Sequence, residues 1–146
     1  MNYRKFFLMM FFSFILMYIM MFLNVNAAED YYTSLTRIYM ALMMVAPMAI
    51  LMIMMMGRMY PDRKKNSMII IISALVFIAS FTALRLQLAV GDAQYLRAMI
   101  PHHSSAIMTS RHAGIKDPEV RALADSIIKS QQREIDQMNR ILKRLP

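Results

Sequence analysis

The three histidines of the chain, His102, His103 and His112, fall in one short stretch, and methionines stand beside the adjacent pair at Met99 and Met108. Neutral imidazole and thioether are donors that suit soft and borderline metals, copper above all. There is no cysteine, which excludes disulfides and thiolate metal sites. Zinc structural sites usually draw on thiolates, and thioether serves zinc poorly. Cu(I) and Ag(I) accept thioether readily, whereas Cu(II) prefers imidazole with oxygen donors. The His-Met grouping therefore predicts a copper site, with Cu(I) favoured and Ag(I) or Cu(II) as further candidates. Such a site weakens in acid, because a protonated imidazole cannot ligate.

Position depends on the helices that carry these groups. Gly91-Asp92 breaks the preceding apolar pattern and offers Asp92 as a cap. A helix is predicted from about 93 to 113, ended by Gly114. At about 100° per residue, Tyr95, Met99, His102, His103 and Ala106 share roughly a third of its circumference. Met108 and His112 point elsewhere. Asp117-Pro118-Glu119 reads as cap, first-turn proline and first-turn acid of a second helix. Its apolar residues, from Val120 through Ile127 and Ile135 to Leu145, recur at three and four. Folding the chain about Lys116 sets Glu134 opposite Met99, Gln131 opposite His102 and Met138 opposite Tyr95. Pro101 either kinks the first helix and frees the carbonyl of Arg97 or starts a fresh helix with the histidines in its first turn. Each candidate has an ordinary alternative: Met99 and Met138 as core fillers, Glu134 and Gln131 as a solvated edge, His112 as an exposed residue.

Upstream, the chain reads as membrane. Hydrophobic residues make up 58% of it, above the 45–50% usual in soluble chains, and the excess lies before Arg85. Apolar runs at 6–23, 38–56 and 68–90 predict three transmembrane helices. Val25-Asn26-Ala27 would suit a signal peptidase, but the first run is longer than a signal peptide needs, which favours a retained helix. Pro47 predicts a kink in the second span. The third carries Ala79 and Ala83 at small-xxx-small spacing, with Ser73, Ser80 and Thr82. Met40, Met44, Met48, Met52, Met55 and Met59 form a stripe along the second span. Such a stripe is flexible packing before it is a path for Cu(I). The net charge of +8 is placed at Arg4, Lys5, Arg58, Arg63, Lys64 and Lys65, flanking apolar runs. That placement marks membrane orientation, not nucleic-acid binding. It predicts a cytoplasmic N-terminus and a C-terminal domain outside.

Two blocks carry a likeness to a known family. One is Asp92-x-x-Tyr95-x-x-x-Met99-Ile-Pro-His102-His103-x-x-Ala106. The other joins Asp117-Pro118-Glu119-Val120-Arg121-x-Leu123-Ala124 to Gln132-x-Glu134-Ile135-x-x-Met138. The stretch from about Gly91 to Leu145 resembles the domain of unknown function three-zero-five, typified by CopM-like periplasmic copper-binding proteins, and the three spans resemble its membrane-anchored short form. The resemblance implies a ferritin-like helical structure, copper or silver binding and metal tolerance. By the same resemblance Met99, His102 and His103 are metal ligands, joined by Met138 and Glu134 from the return helix. Ile107-Met108-Thr109 departs from an Asp-Met pair that many members carry there.

The reading that follows is all-α: a membrane domain over 1–90 and an extracytoplasmic helical hairpin over 91–146, a ferritin-like half-bundle completed by dimerisation. The homodimer face would be Leu96, Ile100, Ile107, Ile128 and Leu142. The expected function is a membrane-anchored copper- or silver-binding protein in a bacterial cytoplasmic membrane. It would serve metal buffering, tolerance or hand-off to envelope copper-handling proteins. The metal residues are His102, His103, Met99, Met138 and Glu134, with Met108, His112 and Gln131 in second rank. No catalytic role is expected, since a ferritin-like di-metal oxidase needs paired Glu-x-x-His motifs and the chain has none. The alternatives are a membrane scaffold whose hairpin recruits a protein partner, with the His pair structural, and a metal-dependent enzyme.

Overall fold

The computed structural model describes residues 2–145. Among them are five α-helices, two short 3-10 turns and no strand. They are α1 (Tyr3–Met20), α2 (Leu35–Met55), α3 (Arg63–Leu86), α4 (Asp92–His112) and α5 (Pro118–Arg144). The chain divides into two compact units: α1 with Thr36–Ala89, and Met21–Leu35 with Val90 onward.

In the first unit, α1, α2 and α3 are each long and apolar enough to cross a membrane. Side chains on their outer faces, among them Phe7, Phe12, Leu51, Ile71 and Ile78, are more than half exposed, as lipid-facing residues are. Where the helices meet, Phe6, Met10, Ala49, Ile53, Tyr60 and Ile69 form one buried cluster. The face of α3 that packs inward is Ile69, Ser73 and Ser80, whereas Ala79 and Thr82 are exposed. Tyr3 donates its hydroxyl hydrogen bond to Asn66 Oδ1 at 2.9 Å, and the Asn66 amide donates to the Tyr60 carbonyl at 2.8 Å. Tyr60 packs its ring edge-on to Phe6. Burial raises the pKa of its phenol, and the hydroxyl has no hydrogen-bond partner among the described residues.

Helix α3 starts before the apolar run itself. Asp62 accepts the backbone N–H of Lys65 at 3.1 Å, so the cap recruits Arg63, Lys64 and Lys65 into the first turn. It stops at Leu86, short of the expected continuation to 90. Gln87 adopts a left-handed conformation at φ 49° and its N–H turns back to the Leu84 carbonyl, while the Leu88 N–H reaches that of Ala83. This pair of bonds is a Schellman ending, built here without glycine. Pro47 sits inside an unbroken α2.

In the second unit, α4 and α5 pack along each other. Leu96, Ile100 and Ile107 of α4 meet Ile135 and Met138 of α5 in one buried cluster, with Met99, Ile128 and Leu142 against it. Asp117 caps α5 by accepting the N–H groups of Glu119 and Val120 at 2.9 and 3.0 Å, and Pro118 takes the first turn as the sequence predicts. Helix α4 runs through Pro101 without restarting there, and Gly91, not Asp92, is its cap.

The connection Met21–Leu35, which the sequence reading counts with the membrane domain, packs on α4 and α5 instead. Ser104, wholly buried, donates to Asp30 Oδ2 and accepts the Asn26 N–H at 2.8 Å. Asn24 donates to Ser105 at 2.6 Å, Arg111 to Asn26 at 3.0 Å, and Tyr32 to Asn139 at 3.0 Å. Helix pairs alone bury little, and this third layer adds cover to α4. Of the expected dimer face, Leu96, Ile100 and Ile107 are buried in the chain's own core against Ile135 and Met138, and Ile128 and Leu142 pack half-buried against it. The apolar side chains that α5 leaves exposed are Val120 and Leu123.

Candidate functional site

His103 stands at the seam of α4 and α5 with both ring nitrogens engaged. Nδ1 lies 2.9 Å from the Met99 carbonyl oxygen one turn earlier, and Nε2 lies 2.8 Å from Glu134 Oε2 on α5. A carbonyl oxygen only accepts, so Nδ1 carries a proton. Nε2 then donates to Glu134 in whichever form carries a second ring proton. The side chain of His103 is 16% exposed and that of Glu134 50%, which leaves the pair open to solvent from the α5 side.

The two helices create this meeting by their register. Folding about Lys116 places Glu134 opposite Met99; the observed partner of Glu134 is His103, one helical turn further on. Met99 stays in reach of the same place through its backbone, and its side chain packs with Met138 in the cluster beneath. His102 is exposed beside His103, with ring centroids 6.0 Å apart.

Of the second-rank residues, His112 lies away from this place. His112 is exposed and binds the Met108 carbonyl through Nδ1 at 2.9 Å, about 13 Å along α4 from His103. Met108 is half-buried outside the cluster. Gln131 is half-buried, and its Oε1 is shielded with no hydrogen-bond partner among the described residues.

Among the described residues no group of three or more His, Cys, Asp or Glu side chains is placed to hold a metal ion. A metal at His103 would thus depend on sulfur donors or water beside imidazole and carboxylate. In kind, the donors fit a soft ion: one imidazole with a second beside it, one carboxylate, and two thioethers in the cluster below. Engagement would require Nε2 to give up Glu134 and any proton it carries.

Comparison with known proteins bears on the same residues. The family described as Domain of unknown function (DUF305) matches residues 51–142. The chain belongs to this family. The DUF305 match begins within α2 and takes in α3, so it reaches well upstream of the helix pair that carried the resemblance in sequence. Met99, His102, His103, Glu134 and Met138 all lie inside it. The chain is also 40% identical over 119 residues to an uncharacterized protein, L153, of Acanthamoeba polyphaga mimivirus, covering 80% of this chain and 76% of the viral protein. No solved structure matches significantly.

Sequence reasoning missed the layer behind the histidines. Ser104, Asp30 and Asn26 hold the connection onto α4 at the residue next to His103. The signal available was a cluster of Asn24, Asn26 and Asp30 in a short polar connection, and a serine pair directly after the histidines.

Proposed function

We propose that this DUF305 protein is a membrane-anchored binder of soft metal ions, copper or silver, acting as a buffer or hand-off partner at the outer face of the membrane. The observation that carries the reading is the placement of His103: its ring is held between the Met99 carbonyl and the Glu134 carboxyl, on a helix pair whose core contains Met99 and Met138. Imidazole and carboxylate meet there from two helices, and the thioethers of Met99 and Met138 belong to the core of the same helix pair. His102 supplies a second imidazole from the solvent side. Cu(I) and Ag(I) suit such donors and tolerate low coordination numbers, so both are expected to bind more tightly than Zn(II). Helices α1 to α3 anchor the chain. The cations before α1 and between α2 and α3 set the N-terminus inside and α4 and α5 outside, by the positive-inside rule.

Titration of the full chain in detergent with Cu(I) and Ag(I), beside His103→Ala and His102→Ala/His103→Ala forms, tests the reading. Loss of tight binding in both variants supports it. Equal binding by parent and double variant rejects it.

A second reading has its own support. With Nδ1 and Nε2 both engaged, His103 already works as a strut between α4 and α5. A scaffold that presents its helix pair to a protein partner would use it so. In that case His103→Ala lowers the melting temperature and leaves metal binding unchanged.

A further inference from the structure

The start of α3 combines cations, an open apolar face and a neighbouring cavity, none of which metal binding uses. An open face of α3 carries Arg63, Lys64 and Ser67 at one end and Met68, Ile71 and Ile72 at the other. A separate apolar cavity of about 190 Å³ lies among the three spans, walled by Met10 of α1, Ala46 and Ala49 of α2, and Met68, Ile69 and Ile72 of α3. Met68 and Ile72 line both. The face therefore leads to the cavity, with the charged end about 12 Å along the helix from Ile72.

The charges at the polar end are unspent. Between Gly57 and Ser67 the single acid is Asp62, and its carboxylate caps α3 and pairs with Lys65 at 3.2 Å. Among the described residues neither Arg63 nor Lys64 has a carboxylate partner. Both are exposed where a spanning helix leaves the hydrocarbon. A ligand that satisfies this surface carries an anion at one end and an acyl chain at the other. In a membrane that ligand is an anionic phospholipid.

We propose that the start of α3 is a binding site for one anionic phospholipid. The phosphate sits on Arg63 and Lys64 within reach of the Ser67 hydroxyl, and an acyl chain crosses Met68 and Ile72 into the cavity beside Ala49. Arginine presents a planar fork to phosphate and lysine a point charge.

The test uses the full chain reconstituted with equal phosphatidylglycerol and phosphatidylcholine, extracted in mild detergent and weighed intact by native mass spectrometry. The parent retains phosphatidylglycerol over phosphatidylcholine. Arg63→Gln/Lys64→Gln loses roughly tenfold or more of that retention, since each basic residue near an anionic surface contributes about a fivefold factor. Arg4→Gln/Arg58→Gln makes the same change in net charge and keeps the preference. Ala49→Leu fills the cavity without touching a charge and lowers retention severalfold, with helicity checked by circular dichroism. Three outcomes overturn the proposal: no preference in the parent, equal losses in the two charge variants, or unchanged retention in folded Ala49→Leu.

Discussion

Nε2 of His103 lies 2.8 Å from Oε2 of Glu134, which makes the only side-chain ion pair between α4 and α5 among the described residues. The same ring is tied through Nδ1 to the Met99 carbonyl within α4. One side chain thus ties α4 to α5, and the two contacts hold its ring in one orientation.

Glu134→Gln is expected to cost about 0.5–1 kcal/mol, small because Glu134 is half exposed and water screens the pair. A double-mutant cycle of Glu134→Gln with His103→Ala, read by thermal melting in detergent, should return a coupling of the same size. A coupling of zero would show that the contact holds nothing together.

The buried Ser104 hydroxyl contributes more. It serves Asp30 and the Asn26 N–H together, so Ser104→Ala strands a carboxylate and a backbone donor at once. The expected loss is about 2–3 kcal/mol. Limited proteolysis should find residues 21–35 cleaved far faster in the variant. Unchanged cleavage would mean that other contacts hold the connection.

How much of this could be read in the sequence depends on the range of the interaction. Local signals served well: Asp117-Pro118-Glu119 starts α5 as its caps dictate, and the apolar runs give three helices fit to cross a membrane. Periodicity put Met99 and His103 on the face that meets Glu134, missing the register by one turn, because a five-residue connection leaves the fold line free by that much. The role of the segment 21–35 was not legible. Its contacts with Ser104 and Asn139 join residues about eighty to a hundred positions apart, and no periodic pattern encodes them. Leu96, Ile100 and Ile107 are spent against Ile135 and Met138 of α5: an apolar face does not say which neighbour covers it.

Asp62 gives a pH dependence. The Lys65 N–H, then the Lys65 side chain, holds its carboxyl below the ordinary carboxylate range. A depressed folded-state value stabilises above the unfolded value of about 3.9 and is lost as pH falls through the lower folded value. The start of α3 should therefore be insensitive to pH from 7 to about 5 and loosen only below about 4. The Lys65 amide resonance should titrate with a midpoint below 3.9, and Asp62→Asn should abolish the titration. A midpoint at or above 3.9 contradicts the cap.

Topology is open to direct labelling, because the chain has no cysteine of its own. A cysteine at Lys116 should react with an impermeant thiol reagent added outside intact cells, and one at Lys64 should not. The reverse pattern would put the helix pair on the cytoplasmic side.

The most direct test of metal binding is X-ray absorption at the copper edge on the full chain loaded with one equivalent of Cu(I). Nitrogen and sulfur scatterers are expected in the parent. In Met99→Leu/Met138→Leu the sulfur shell should vanish and the Cu(I) affinity fall, while Cu(II) binding stays nearly unchanged, because leucine keeps the packing volume and removes the donor. A first shell of nitrogen and oxygen alone in the parent, or a sulfur shell that survives the double variant, would contradict the proposed site.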